Sequence, residues 1–253
     1  MPSSADGPPD FVGVGTPGPA MVWWAQVLYA HPQIRAPGGP DTALHFFDRF
    51  GMSEMTDADV AAYHAHFPRV PGTICGEWTG RYMLDGWTPP LLARAAPDAR
   101  VLVMLSDPIP RYLWTFAARR AAFREDEVFY MTDMVERATY AAQLERLLRF
   151  VDPARVLVLQ FERCVRDRVG EYRRTLEFLG VRDRVPVRLR YPHPGSRLAR
   201  RRRPPGVRDV TPPLWPEIDA ALHVALDPDV KRLAELVPAL DLSLWPSFSH
   251  LAG

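Results

Sequence analysis

A run of arginines near residue 200 is the strongest concentration of charge in the sequence. Its members lie in a Gly/Pro-rich loop, at Arg197, Arg200 to Arg203 and Arg208. A guanidinium group donates parallel hydrogen bonds, so arginine pairs well with phosphate and sulfate. We therefore predict phosphate binding by this run, including Arg200 and Arg201, with a solvated loop as the alternative. We expect no nucleic-acid partner, because no aromatic residues are interleaved in the run and the net charge is +1.

Two other side chains, His45 and Glu77, are of types that can take a proton from a hydroxyl group. His45 stands before Phe46 and Phe47, so the alternative for His45 is a packed, hydrogen-bonded core residue. Glu77 ends a short apolar run, and its alternative is a carboxylate held by Arg81.

The hydrophobic pattern predicts strands that alternate with helices. The predicted strands are Phe11–Gly15, Thr73–Glu77, Arg100–Leu105 and Val156–Phe161. The predicted helices are Ala20–Tyr29, Asp57–His66, Pro89–Ala96, Pro110–Phe123, Met131–Phe150, Gly170–Leu179, Pro216–Leu226 and Asp229–Leu236. Apolar strands separated by helices are typical of an α/β domain with a parallel sheet. The first strand leads through a Gly/Pro-rich turn, residues 15–19, into the first helix, an arrangement that often binds phosphate.

Composition narrows the class of protein further. A chain of 253 residues with 47% hydrophobic residues can fold as a single domain over 1–253, with residues 1–10 as a flexible N-terminus and 197–213 as an Arg/Pro-rich loop. Two cysteines without zinc-type spacing predict no disulfide framework, no metal and a cytoplasmic location. No apolar run is long enough for a membrane span, so we expect no membrane partner. Among 31 basic residues the single lysine is Lys231, a bias that suggests a GC-rich bacterial genome.

Four segments resemble the sulfotransferase family, particularly its bacterial and heparan-type branch. They are Leu28 with His31–Ile34, Leu44–Asp48 (LHFFD), Gly76–Thr79 with Arg81–Tyr82, and Val101–Arg111. The resemblance continues through most of the chain to Leu244–Trp245. It implies a P-loop-like, three-layer α/β fold with a central parallel sheet, and sulfuryl transfer from 3′-phosphoadenosine 5′-phosphosulfate (PAPS) to a hydroxyl group. In the family the glutamate of the Gly-Glu motif lies near the acceptor, which makes Glu77 the candidate base and His45 a second catalytic candidate.

The same resemblance places a PAPS site on Gly15, Gly18 and Arg111, with Arg200 and Arg201 as further phosphate contacts. The family's donor loop, of the type K-x-G-T-T, corresponds here to residues 18–22, where the lysine, the glycine and both threonines are absent. The positions of the family's arginine and serine for the 3′-phosphate are Ser106 and Trp114. The sequence therefore predicts a degenerate donor site.

Aromatic residues occupy or adjoin several of these motif positions. We predict that they line a substrate pocket, formed by Trp23, Phe46, Phe47, Trp78 and Trp114. The sequence-based hypothesis is therefore sulfuryl transfer to a small, aromatic or polyketide-like secondary metabolite. Its alternative is a PAPS-independent family member that uses the tryptophan-rich pocket for another reaction or for ligand binding. The oligomeric state is not predicted.

Overall fold

The computed structural model of the chain describes residues 6–38, 43–113, 135–185 and 216–252. The chain divides into two compact units, and the first contains the described residues within Met1–Leu105 and Gln143–Leu189. The second contains those within Ser106–Ala142 and Arg190–Gly253. The single domain over the whole chain stays a prediction. No helix of the described ranges is both long enough and apolar enough to cross a membrane.

A parallel sheet of five strands forms the centre of the first unit. Its strands are β1 (Phe11–Gly15), β2 (Ile34–Arg35), β3 (Ile74–Trp78), β4 (Arg100–Leu105) and β5 (Val156–Gln160). Their order across the sheet is β2-β3-β1-β4-β5, and each neighbouring pair is parallel. All five residues of β1 are buried, as expected for a central strand with helices on both faces. The predicted parallel α/β sheet is confirmed.

Among the described residues, seven α-helices are numbered in chain order. They are α1 (Pro19–Tyr29), α2 (Asp57–His64), α3 (Thr88–Ala95), α4 (Tyr140–Leu148), α5 (Phe161–Arg166), α6 (Arg168–Leu179) and α7 (Pro216–Leu236). Residues 108–113 are also helical, and short 3₁₀ helices cover Phe46–Gly51, Pro153–Arg155, Leu242–Leu244 and Pro246–Leu251. Thr56 caps α2: its side chain accepts the backbone N–H of Asp59, whose side chain accepts the N–H of Thr56.

Several sequence-based boundaries differ from the structure. The helix predicted over Met131–Phe150 is interrupted at residues 137–139, so α4 begins only at Tyr140. The strand predicted to Phe161 ends at Gln160, because α5 begins at Phe161.

Two further differences have a local cause. The two helices predicted after residue 216 form the single helix α7, with Pro228 inside it. Pro228 removes the hydrogen bond to the carbonyl of Val224, and Val224 is largely exposed, so water can reach this side of the helix. Helix α6 begins at Arg168, before the predicted Gly170, because the Asp167 side chain caps it by accepting the N–H of Gly170.

Candidate functional site

Glu77 ends up in a cage of hydroxyl groups at the carboxyl end of β3. Its carboxylate accepts hydrogen bonds from the hydroxyl groups of Tyr63 (2.8 Å), Tyr82 (3.1 Å) and Thr79 (2.7 Å). A fourth bond comes from the backbone N–H of Leu44, at 3.1 Å. The side chain is fully buried. Four donors satisfy the carboxylate, which explains how this polar group is accommodated inside the fold.

Burial raises the pKa of Glu77 above its usual range, although the hydrogen bonds from Thr79, Tyr63 and Leu44 act in the opposite direction. A buried carboxylate with its lone pairs occupied has no direct path to a substrate hydroxyl. The alternative in which Arg81 holds Glu77 is corrected here: Arg81 donates to Asp85 at 3.0 and 3.2 Å. The geometry makes Glu77 a positioning residue for the segment that contains Leu44.

His45 stands at the surface directly beside this cage. Its Nδ1 lies 2.8 Å from Oδ2 of Asp48, and its side chain is 54% exposed. The expectation of a packed core histidine is therefore wrong. His45 adopts a left-handed backbone conformation with φ of 52°. The side chain of His45 therefore points to solvent, while the side chains of Phe46 and Phe47 are buried.

The buried cage and the exposed histidine are connected through Thr79. The Thr79 hydroxyl donates to Glu77 and accepts the backbone N–H of His45, at 3.2 Å. Glu77 also holds the N–H of Leu44, so two consecutive peptide groups are anchored before the imidazole. This network fixes the backbone that carries His45.

Asp48 is a functional residue that the sequence-based site did not include. Its Oδ2 faces His45 and lies 3.9 Å from Nε of Arg81. Its Oδ1 is buried and has no hydrogen-bond partner among the described residues. The signal that identifies Asp48 is its place three residues after a histidine, where one helical turn brings the two side chains together. A carboxylate at Nδ1 orients an imidazole and stabilises its protonated form.

The loop between β1 and α1 does not fit a PAPS phosphate. The backbone N–H and the hydroxyl of Thr16 both donate to the Met104 carbonyl, each at 2.9 Å. Pro17 and Pro19 have no N–H to donate. A Cβ on Gly80 would lie 2.9 Å from Pro17, so the turn after β3 packs directly against this loop.

Charge is also missing from the donor loop. The first arginine or lysine in the sequence is Arg35, and helix α1 begins at Pro19 without a side-chain cap. Each lost donor or cation typically removes about 3 kcal/mol of transition-state stabilisation. Gly15 and Gly18 thus occupy the loop that the sequence predicted, but the surrounding groups do not form a phosphate cradle there.

Arg111, the remaining matched donor residue, is largely buried in the second unit. Its guanidinium donates to the carbonyl of Arg137 at 2.8 Å and lies 5.6 Å from the ring centre of Tyr140. The neighbouring Asp107 caps the next helix by accepting the N–H of Ile109 at 3.1 Å. Arg200, Arg201 and Trp114 lie outside the described residues.

The four described members of the predicted aromatic pocket are buried, and the pocket itself stays a prediction. Trp23 packs edge-on against Trp24 and Phe161. The buried Trp78 lies over Gly13, where a Cβ would be 2.1 Å from the ring, and its Nε1 donates to the Gly15 carbonyl.

Phe46 and Phe47 belong to another cluster, with ring centres 4.9 and 4.7 Å from Tyr63. All four rings are buried and pack against neighbouring side chains or backbone between secondary-structure elements.

Comparisons with known proteins agree with this fold. Residues 86–184 match the model of the sulfotransferase family. A mouse heparan sulfate glucosamine 3-O-sulfotransferase 6 is 29% identical over 171 residues, which is 62% of this chain and 48% of the mouse protein. The chain thus spans about half the length of this curated relative.

Solved structures extend the similarity of fold over nearly the whole chain. A sulfotransferase from Alicyclobacillus acidocaldarius superposes with a TM-score of 0.68 and 24% identity, covering 94% of this chain and 98% of the other. The sulfotransferase domain of the Synechococcus olefin synthase has a TM-score of 0.50 and 16% identity, covering 71% and 76%. The P-loop-like α/β fold predicted from the sequence is confirmed.

Proposed function

Because the chain resembles the sulfotransferase family in sequence and in fold, we propose that it acts on a hydroxyl group of a small molecule without using PAPS in the manner of the family. The observation that carries the proposal is the pair of His45 and Asp48, with a 2.8 Å contact at Nδ1 and a half-exposed imidazole. The loop between β1 and α1 supports the absence of PAPS use. Both hydrogen-bond donors of Thr16 are bonded to the Met104 carbonyl, and Pro17 and Pro19 have no N–H.

In this proposal Nε2 of His45 accepts a hydrogen bond from the bound hydroxyl group. Nε2 takes the proton as that oxygen attacks the electrophilic centre of a second, group-donating substrate, whose leaving group departs. The Nδ1–H of His45 donates to Asp48, which selects that tautomer and stabilises the imidazolium that forms. Glu77 acts indirectly, because its hydrogen bonds hold the backbone at Leu44 and, through Thr79, at His45.

Nuclear magnetic resonance of the histidine rings tests the proposed ligand site. The intact protein, labelled at histidine, would be titrated with a panel of small phenols, polyketide fragments and amino sugars. We expect a binding compound to shift the His45 ring signals, which the His45→Asn variant identifies by their loss. The variant Asp48→Asn should bind the same compound more weakly. Compounds that bind while the His45 signals stay unchanged would contradict the proposal.

The second candidate function is sulfuryl transfer from PAPS to an aromatic or polyketide-like metabolite of a bacterium, within the cytoplasm. The resemblance to the family favours this reaction, and the arginine run could supply phosphate contacts. The likeness to the olefin synthase domain concerns the fold alone. Incubation with ³⁵S-labelled PAPS and the same panel tests it. Labelled product that disappears in the His45→Asn variant would favour this second function over the first.

A further inference from the structure

We propose that His223, Asp227 and His250 form a binding site for a divalent transition metal ion such as Zn²⁺, separate from the His45 region. This His–Asp–His cluster belongs to the second unit. No metal is expected from the sequence, because no zinc-type Cys/His spacing accompanies the two cysteines. Its third member becomes a neighbour only when the C-terminal segment folds against α7.

The three side chains already have the spacing of a ligand set. Nδ1 of His223 lies 3.0 Å from one carboxylate oxygen of Asp227, and Nε2 of His250 lies 3.0 Å from the other. All three potential ligand atoms lie within 4.8 Å of one another. Ligand atoms on a tetrahedral Zn²⁺ are about 3.3 Å apart, given bond lengths of roughly 2.0–2.1 Å, so small side-chain movements would close the site.

Secondary structure determines how the cluster forms. His223 and Asp227 are four residues apart on α7, so they share one face of the helix. His250 comes from the 3₁₀ helix Pro246–Leu251. The start of that helix is anchored separately, because the N–H of Ser247 donates to Asp107 at 3.0 Å. The ring of Phe248 packs 5.3 Å from His223 and limits the directions that this imidazole can take.

The donor set also defines the class of metal. Two neutral imidazoles and one carboxylate suit Zn²⁺ and neighbouring first-row ions better than Mg²⁺ or Ca²⁺, which prefer oxygen ligands. His223 and Asp227 are each 26% exposed, and His250 is 49% exposed, so an ion can enter from solvent. Three protein ligands leave a fourth position for water or a ligand group. A bound ion would also tie the C-terminal 3₁₀ helix to α7.

Calorimetric titration of the chelator-treated full chain with ZnCl₂ tests the site, in a buffer that does not bind metal. We expect one Zn²⁺ per chain and a rise in Tm with added Zn²⁺, because binding to the folded state stabilises it. The variant His250→Ala should weaken binding by at least about 10–100-fold. The matched control His66→Ala, which removes a histidine from the first unit, should bind Zn²⁺ like the wild type.

Two results would overturn the proposal. One is the absence of both heat and a Tm shift at about 1 mM Zn²⁺. The other is unchanged affinity in His250→Ala, which would place the ion elsewhere. Circular dichroism would check that the variant folds. If His250→Ala fails to fold, replacement of Zn²⁺ by Co²⁺ in the wild type provides the readout, and no visible absorption from nitrogen-ligated Co²⁺ would equally reject the site.

Discussion

His45 is the residue at which the proposed chemistry can be separated from the fold. Its side chain is half exposed, and its positive φ is a conformation that asparagine also adopts readily. We predict that His45→Asn changes the free energy of unfolding by less than about 0.5 kcal/mol. With a compound that the protein turns over, the same variant should lose about 10²–10⁴-fold in rate, as removal of a general base does. Urea unfolding and product formation measure the two effects, and retained turnover would exclude His45 as the base.

For Glu77 we predict an effect on the pH dependence of the free energy of unfolding. Burial raises its pKa in the folded protein above the ordinary value of 4.5, so the folded state binds this proton more tightly than the unfolded state. The resulting stability is complete below pH 4.5 and is lost as the pH rises through the folded pKa. The variant Glu77→Gln cannot titrate. It should be roughly 1–3 kcal/mol less stable at low pH, because its amide faces hydroxyl donors, and this difference should shrink as the pH rises.

Urea unfolding between acid and neutral pH measures the Glu77 effect. The exposed Glu54 offers a matched control, since Glu54→Gln removes a carboxylate without disturbing a buried cage. Parallel curves for Glu77→Gln and the wild type over the whole pH range would contradict the assignment of a raised pKa to this carboxyl group.

At the scale of elements, the contact between β1 and β3 is the tightest test of the fold. A Cβ at Gly13 would lie 2.1 Å from the Trp78 ring, and both strands are buried. We predict that Gly13→Ala destabilises the protein by about 1–3 kcal/mol or more through overpacking, which lowers Tm by roughly 2–4 °C per kcal/mol. Gly38→Ala is the control, since its Cβ would meet nothing within 4 Å. Equal Tm values for the two variants would show that Trp78 can move away, as expected of a pocket side chain.

The elements also show how far sequence reasoning reaches. Four strands follow from continuous apolar runs, and their alternation with helices predicts the parallel sheet. Strand β2 was missed because only Ile34 and Arg35 pair with β3, and two residues leave no periodic signal. The exposure of His45 was also missed, since its apolar neighbours suggest burial while a left-handed φ turns the histidine outward.

The cage around Glu77 shows a second limit. Its donors come from Leu44, Tyr63, Thr79 and Tyr82, which are separated by up to 38 positions in the sequence numbering. The pattern of residues identified the carboxylate as important, but only tertiary structure brings the hydroxyl groups of α2 and of the turn after β3 together. Long-range contacts of this kind are not encoded in local spacing, so Arg81 was the natural but wrong partner.

At the scale of the whole molecule, the resemblance to the sulfotransferase family and the site chemistry give different information. The P-loop-like fold extends over nearly the entire chain in comparison with the Alicyclobacillus protein. A shared fold positions a site but does not determine its reaction. In this chain His45 lies beside the carboxylate of Asp48, whereas the loop after β1 contains no arginine or lysine and the Thr16 donors are bonded to the Met104 carbonyl.

Calorimetric titration of the intact protein with adenosine 3′,5′-bisphosphate tests this account most directly. This compound carries the phosphates of PAPS without the sulfuryl group. The loop between β1 and α1 has no arginine or lysine, and both donors of Thr16 are bonded to the Met104 carbonyl. We therefore predict no binding at ligand concentrations up to about 1 mM, even at low salt. Binding with a Kd on the order of 1 μM that is lost in Arg111→Ala, or after alanine replacement of Arg200 to Arg203, would contradict the account.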